Sequence, residues 1–311
     1  MSVNILIYFI KRLLKAIPVL LIIITIAFFM MRVAPGGPFT QDRKLLPEVE
    51  KNIQAAYHLD KPLYVQYGMY LGNVLTGDLG PSYKYKDFTV NELIALGAPV
   101  SLKLGLTALF VALLFGVYLG TIAALNQNKL IDYSVMTIAM TGLVVPSFVL
   151  APLLTLVFGV YWKVLPVGGW NNGALENMIL PVISLSLPLI AVMARLTRGG
   201  LIEVLRSNYI RTARAKGLPE WLVVTRHAMP AGLMPLVTYL APATAGIVVG
   251  SVVVEQIFGL PGIGRYFVIG AMQRDYTLVM GVLILFSSLI LFLNILADIA
   301  YSVLDPKVKL S

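Results

Sequence analysis

The sequence predicts an all-α integral membrane protein with six transmembrane helices and a small external cap after the first, and two observations carry that fold class. Of 311 residues, 58% are hydrophobic and 13% charged, with a mean hydropathy of +0.84. Soluble domains carry about 25% charged residues, so a water-soluble globule is excluded. The second observation is the distribution of apolar residues: six runs are long enough to cross a hydrocarbon core, which takes about 20 residues per helix. Cysteine is absent, which removes disulfides, thiolate metal ligation and cysteine nucleophiles.

The runs cover residues 13–31, 100–125, 133–161, 177–194, 233–256 and 277–303. The first follows Lys11, Arg12 and Lys15 and so has the outline of a secretory leader. Its length, and the lack of a small-x-small site at Val33-Ala34-Pro35-Gly36, predict an uncleaved anchor instead. Pro18, Pro146, Pro152, Pro181, Pro188 and Pro242 are expected inside these helices, where neighbouring helices can satisfy the freed backbone groups. In the fifth run, Gly246-x-x-x-Gly250 reads as a close-packing pair.

The formal charge of +9 could signal nucleic acid, but its placement gives an orientation instead. Of 24 basic residues, thirteen fall in the N-terminus, the C-terminus and the segments after the second and fourth runs. Only Lys163, Arg265 and Arg274 fall in the two short opposite loops. Positive residues concentrate on the cytoplasmic side, so both termini are expected there, with no nucleic-acid partner.

Three units follow: residues 1–31, the cytoplasmic N-terminus with the first helix; 32–99, the external cap; and 100–311, a five-helix core containing an inner loop at 195–232. In the cap, residues 47–57 and 62–71 read as short helices, each with proline at its start. Tyr64, Tyr67, Tyr70 and Tyr83 are expected at headgroup level. In the inner loop, a helix is expected to continue past Glu203 and Ile210 to Lys216. Gly217 stops it in the left-handed conformation, and a second short helix spans 220–228 before Pro230.

Several kinds of chemistry are missing. The dipeptide Gly-Lys never occurs, so the chain has no Walker A phosphate loop and no ATPase of that type. His58 and His227 fall on opposite sides of the membrane and cannot share a metal or catalytic site. No catalytic or metal-binding residue is assigned, and the substrate-contacting residues are not legible. The ionisable groups in or near spans, Lys103, Glu255 and Asp298, form no proton relay, which disfavours an ion-coupled carrier acting alone.

Residues 211–230 resemble the signature E-A-A, three residues, G, nine residues, I-x-L-P of permease subunits of ATP-binding-cassette importers. Gly217 takes the glycine, Ala213 the second alanine, and His227, Met229 and Pro230 the end; Arg211 replaces the glutamate and Thr212 the first alanine. Arg211-Thr212-Ala213-Arg214-Ala215-Lys216-Gly217-Leu218 is similar to the peptide and nickel branch of that family. So are Gly77-Asp78-Leu79-Gly80 and Phe258-Gly259-Leu260-Pro261-Gly262-Ile263-Gly264. Met30-Met31-Arg32-Val33-Ala34-Pro35-Gly36 and Gly168-Gly169-Trp170-Asn171 resemble the B-type subunits of oligopeptide uptake.

The resemblance implies a type I importer-permease architecture and a heteromeric machine. Its partners would be a homologous second permease, two cytoplasmic ATPases holding the ATP and Mg, and an external peptide-binding protein; no cofactor sits on this chain. Arg211, Thr212, Ala213, Arg214, Gly217 and Pro230 would form the ATPase-coupling loop. Glu255, Pro261, Gly262 and Gly264 would form an external gate or docking loop. Peptide is the expected cargo, with dipeptides, nickel, glutathione or another small solute as alternatives.

Overall fold

The structure is a computed structural model that describes residues 2–33, 58–85 and 87–304, with side chains described except at 2–8, 248–250 and 297–304. Apart from an isolated bridge between Pro81 and Thr89, its regular elements are helical. Helix α1 (Ser2–Val33) is followed by α2 (Leu63–Leu75), which starts after Pro62 as expected. The expected helix at 47–57 lies outside the described residues.

Helix α3 (Val90–Leu125) begins ten residues before the apolar run. A capping box sets that start: the Thr89 hydroxyl accepts from the Glu92 amide, and the Glu92 carboxylate accepts from the Thr89 amide. With 36 residues it is about 54 Å long, well beyond the roughly 30 Å of hydrocarbon.

The third apolar run is not one helix. It divides into α4 (Leu130–Val144) and α5 (Ser147–Tyr161), which meet at 101°. Val145, held extended by the following proline, and Pro146, which has no N–H, together end α4. The other five prolines named above do lie inside helices.

Helix α6 (Leu175–Leu205) continues eleven residues past the expected end of the fourth span. A turn at Arg206-Ser207 then separates it from α7 (Asn208–Ala215), so the expected single helix to Lys216 is two. Next, α8 covers 220–232 as Glu220–Leu222, a π-turn Val223–Ala228 and Met229–Gly232. Pro230 does not end α8, because the widened turn before it accommodates the ring that an ordinary turn would press against a carbonyl. Helices α9 (Met234–Phe258), α10 (Ile263–Met272) and α11 (Tyr276–Leu304) complete the chain.

Among the described residues, four helices are long and apolar enough to cross a membrane alone, six counting the bent pairs 130–161 and 234–258 as one span each. The helices are joined by small residues and by buried apolar clusters, two of which lie at opposite ends of the bundle. Along α3, Ala108, Ala112, Gly116, Gly120 and Ala124 recur every fourth position and are buried, letting α6 approach closely. A Cβ on Gly120 would stand 2.5 Å from the Ala194 carbonyl oxygen. The expected pair at Gly246 works differently: Gly246 is exposed, with nothing near an added Cβ.

At one end of the bundle, Leu104, Ala151, Leu180, Val254 and Phe258 join α3, α5, α6 and α9. At the other, Ala124, Leu201, Ile210, Ala213, Val223 and Ala228 join α3, α6, α7 and α8. Tyr67 and Tyr70 pack on Phe28 of α1, at ring centroid separations of 5.3 and 5.9 Å. Tyr83 is buried beside Tyr276, and Tyr64 alone of the four is exposed.

Candidate functional site

The elbow between α7 and α8 is built from local rules. Gly217 adopts φ +75, donates its N–H to the Arg214 carbonyl at 2.9 Å and has open space where a Cβ would stand. Its requirement is therefore the left-handed backbone, not a tight neighbour. Leu218 and the α8 N-cap Pro219 follow, turning the chain back across α7.

Arg214 and Glu220 clamp the elbow with two bonds, Nε to Oε2 at 3.0 Å and Nη2 to Oε1 at 2.5 Å. Ile210 and Ala213 point inward, leaving Tyr209, Arg211, Thr212, Arg214, Gly217, Trp221 and Pro230 on the surface. Ala213 therefore seats α7 on its own subunit and is not available for close approach by a partner. Trp221, 68% exposed, is the large apolar side chain that sequence reasoning passed over at this surface.

The hydrogen bond from Arg214 holds the Glu220 carboxyl below its ordinary range, and the same bond raises Arg214. The stabilisation is present above the ordinary glutamate value of 4.5 and is lost as pH falls through the lower folded value. Both side chains are about half exposed, so the expected loss is small, about 0.5 kcal/mol. Amide exchange across 208–228, corrected for intrinsic pH dependence, should accelerate about twofold on acidification in the native chain and remain unchanged in Glu220→Gln.

The residues expected as an outer gate or docking loop form a buried brace. Glu255 is fully buried, and its Oε2 accepts from the amides of Gly264 at 2.8 Å and Arg265 at 3.3 Å, at the start of α10. Ser101 of α3 accepts from Ile263 at 2.9 Å. Glu255, Gly262 and Gly264 are thus unavailable as a docking surface in this conformation; Pro261 is half-buried. They tie α9, α10 and α3 together. Lys103 donates to the Gly173 carbonyl at 2.9 Å and lies 5.5 Å from the Trp170 ring centroid. The side chain of Asp298 lies outside the described ones.

A further feature was not expected from sequence. Between α4 and α6 lies a groove of about 650 Å³ lined by Tyr133, Met136, Met140, Val144, Arg195 and Arg198, among others. At its end Asp132, 1% exposed, receives two bonds of 2.6 Å from Arg198 and one from the Asn128 amide. Among the described residues, no group of three His, Asp or Glu side chains could hold a metal ion.

Residues 116–310 match the family described as binding-protein-dependent transport system inner membrane component, and residues 5–87 match its N-terminal counterpart. The chain belongs to this family. It is a membrane-embedded, multi-pass permease component.

The permease is 54% identical to the oligopeptide transport system permease protein OppB of Escherichia coli (strain K12), over 97% of this chain and 99% of that one. It is 43% identical to the dipeptide transport system permease protein DppB of Bacillus subtilis (strain 168), over 97% and 98%. Among solved structures, an amino acid ABC transporter with histidines aligns with TM-score 0.55 at 16% identity, covering 68% of this chain and 94% of that one. The last likeness concerns the fold alone.

Proposed function

We propose that this chain is a membrane-spanning subunit of an ATP-driven importer that moves oligopeptides handed over by an external binding protein. The observation that carries this reading is the 54% identity, end to end, to an oligopeptide permease. A homologous second permease completes the pathway, two cytoplasmic subunits hydrolyse ATP with Mg, and both termini of this chain are cytoplasmic. The 43% identical dipeptide permease keeps a second reading open, the same machine with shorter peptides.

The division into 1–31, 32–99 and 100–311 gives each part a task in this machine: anchor, external cap, and transport core. At the elbow, Arg211, Thr212, Arg214, Gly217 and Pro230 offer charge and shape to an ATPase groove, with Trp221 beside them. Ala213 contributes from behind by fixing α7 to α6. Because α6 is 31 residues, about 46 Å, and locked to α3 by small residues, displacement of the elbow reaches the far side of the bilayer as movement of a stiff lever. There the Glu255 brace, with Pro261, Gly262 and Gly264, holds the outer ends of α3, α9 and α10 in register. Alternating access follows when this lever and its counterpart rock together.

The test is uptake of labelled di-, tri- and longer peptides by vesicles containing this chain, its second permease, ATPases and binding protein. Uptake that requires ATP and all subunits is expected. Peptide movement by this chain alone along an ion gradient, or no peptide uptake by the full complex, would overturn the proposal.

A further inference from the structure

The groove between α4 and α6 starts at the Asp132–Arg198 pair, passes Met136 and Met140, and ends at Val144 and Val145, where the chain turns through 101°. Fifteen residues of α4 cover about 22 Å, so the groove reaches from one end of the span deep into the bilayer. Backbone broken at such depth cannot face hydrocarbon, because its freed polar groups would have no partner; it occurs where it lines a watery cavity or is covered by protein.

Charge adds a second constraint. Arg198 is neutralised by Asp132, whereas Arg195, one turn away on α6, forms no ion pair among the described residues and meets only the Met140 sulfur. The groove therefore carries one net positive charge. Its walls at Tyr133, Met136, Met140 and Val144 are apolar, and the methionines can adapt to varied shapes.

We propose that this groove is a stretch of the cargo path and that Arg195 receives the C-terminal carboxylate of a peptide in transit. The inference rests on the peptide reading above and gives it a substrate-contacting residue. The carboxylate is the anionic group every unmodified peptide carries whatever its sequence. A guanidinium among adaptable apolar side chains thus holds any peptide by its one constant negative charge. A lipid phosphate would match the charge but would leave the broken backbone facing acyl chains.

The absence of cysteine makes the test direct. In the complete transporter, Thr141→Cys on the exposed wall of α4 is treated with membrane-impermeant anionic and cationic methanethiosulfonates, and labelling is read on this chain by mass. Both reagents should react, and adding Arg195→Gln should lower the anionic-to-cationic rate ratio about tenfold. Uptake of a subsaturating tripeptide should fall about tenfold in Arg195→Gln and be largely kept in Arg195→Lys. Arg195→Met, which suits the methionine wall, replaces Arg195→Gln if the latter does not assemble.

Labelling only by a lipid-soluble maleimide would place the groove against lipid and overturn the proposal, as would native uptake in the variant that lacks the charge. A native complex that takes up no peptide strikes the importer reading itself, while the labelling ratio still decides whether the groove is wet and favours anions.

Discussion

Gly217→Ile is expected to leave insertion and complex assembly intact while lowering ATP-driven uptake at least about tenfold, with ATP hydrolysis kept within about twofold of native. The reason lies in the backbone. Gly217 is exposed, and a Cβ there would meet nothing within 4 Å, so the substitution creates no clash. It does place a β-branched residue at φ +75, a conformation that costs non-glycine residues about 1–2 kcal/mol, and more when branched. The chain relieves that strain by reopening the turn, which separates Arg214 from Glu220 and moves Trp221 relative to Tyr209. Gly217→Asn tolerates the left-handed region and should retain most of the uptake. Measuring uptake and ATP hydrolysis on the same vesicles separates the outcomes: native uptake with Gly217→Ile removes the coupling role, and loss of both activities points to failed assembly.

The elbow was legible in the sequence because its determinants are local: a left-handed glycine, then a proline that starts the next helix. Pro146 shows the limit of such reading. It is one of the six prolines expected inside the spanning helices, and the other five, Pro18, Pro152, Pro181, Pro188 and Pro242, do remain inside helices. Which of them breaks the chain depends on what the neighbouring helices can satisfy, and that is tertiary information. Hydropathy likewise placed the start of α3 ten residues late, although Thr89-x-x-Glu92 was present as a capping signal.

The small-residue seam from Ala108 to Ala124 is also visible in the sequence at every fourth position, whereas Gly246, expected as a packing glycine, faces open space. Ala213 illustrates a different confusion. A short side chain required for packing within the subunit looks, in sequence, the same as one required for approach by a partner. The Asp132–Arg198 pair lies 66 residues apart, and no local pattern announces it. The groove it closes, with the charge of Arg195, had no counterpart in the sequence reading for that reason.

Asp275→Ala should produce the largest loss of stability, about 3 kcal/mol or more, seen as a lower unfolding temperature in detergent and as new protease sensitivity between Gly77 and Thr89. Asp275 is fully buried, directly before α11. Its Oδ1 accepts from the Leu278 amide at 3.1 Å, which caps the helix, while the Thr277 hydroxyl donates to the Pro81 carbonyl at 2.6 Å. Its Oδ2 accepts from the Ser82 hydroxyl at 2.5 Å and from the amides of Tyr83 at 3.0 Å and Lys84 at 3.2 Å. One carboxylate thus joins the segment before α3 to the start of the last helix across more than 190 residues of sequence. Truncation leaves three amides and the Ser82 hydroxyl short of this acceptor in a buried place, and their desolvation exceeds the net value of the bonds lost. Asp275→Asn keeps the shape but replaces one acceptor with a donor facing other donors, so an intermediate loss is expected. An unfolding temperature within 1 °C of native in Asp275→Ala, about 0.6 kcal/mol or less, would show that the segment is held by Leu79 and Tyr83 packing alone.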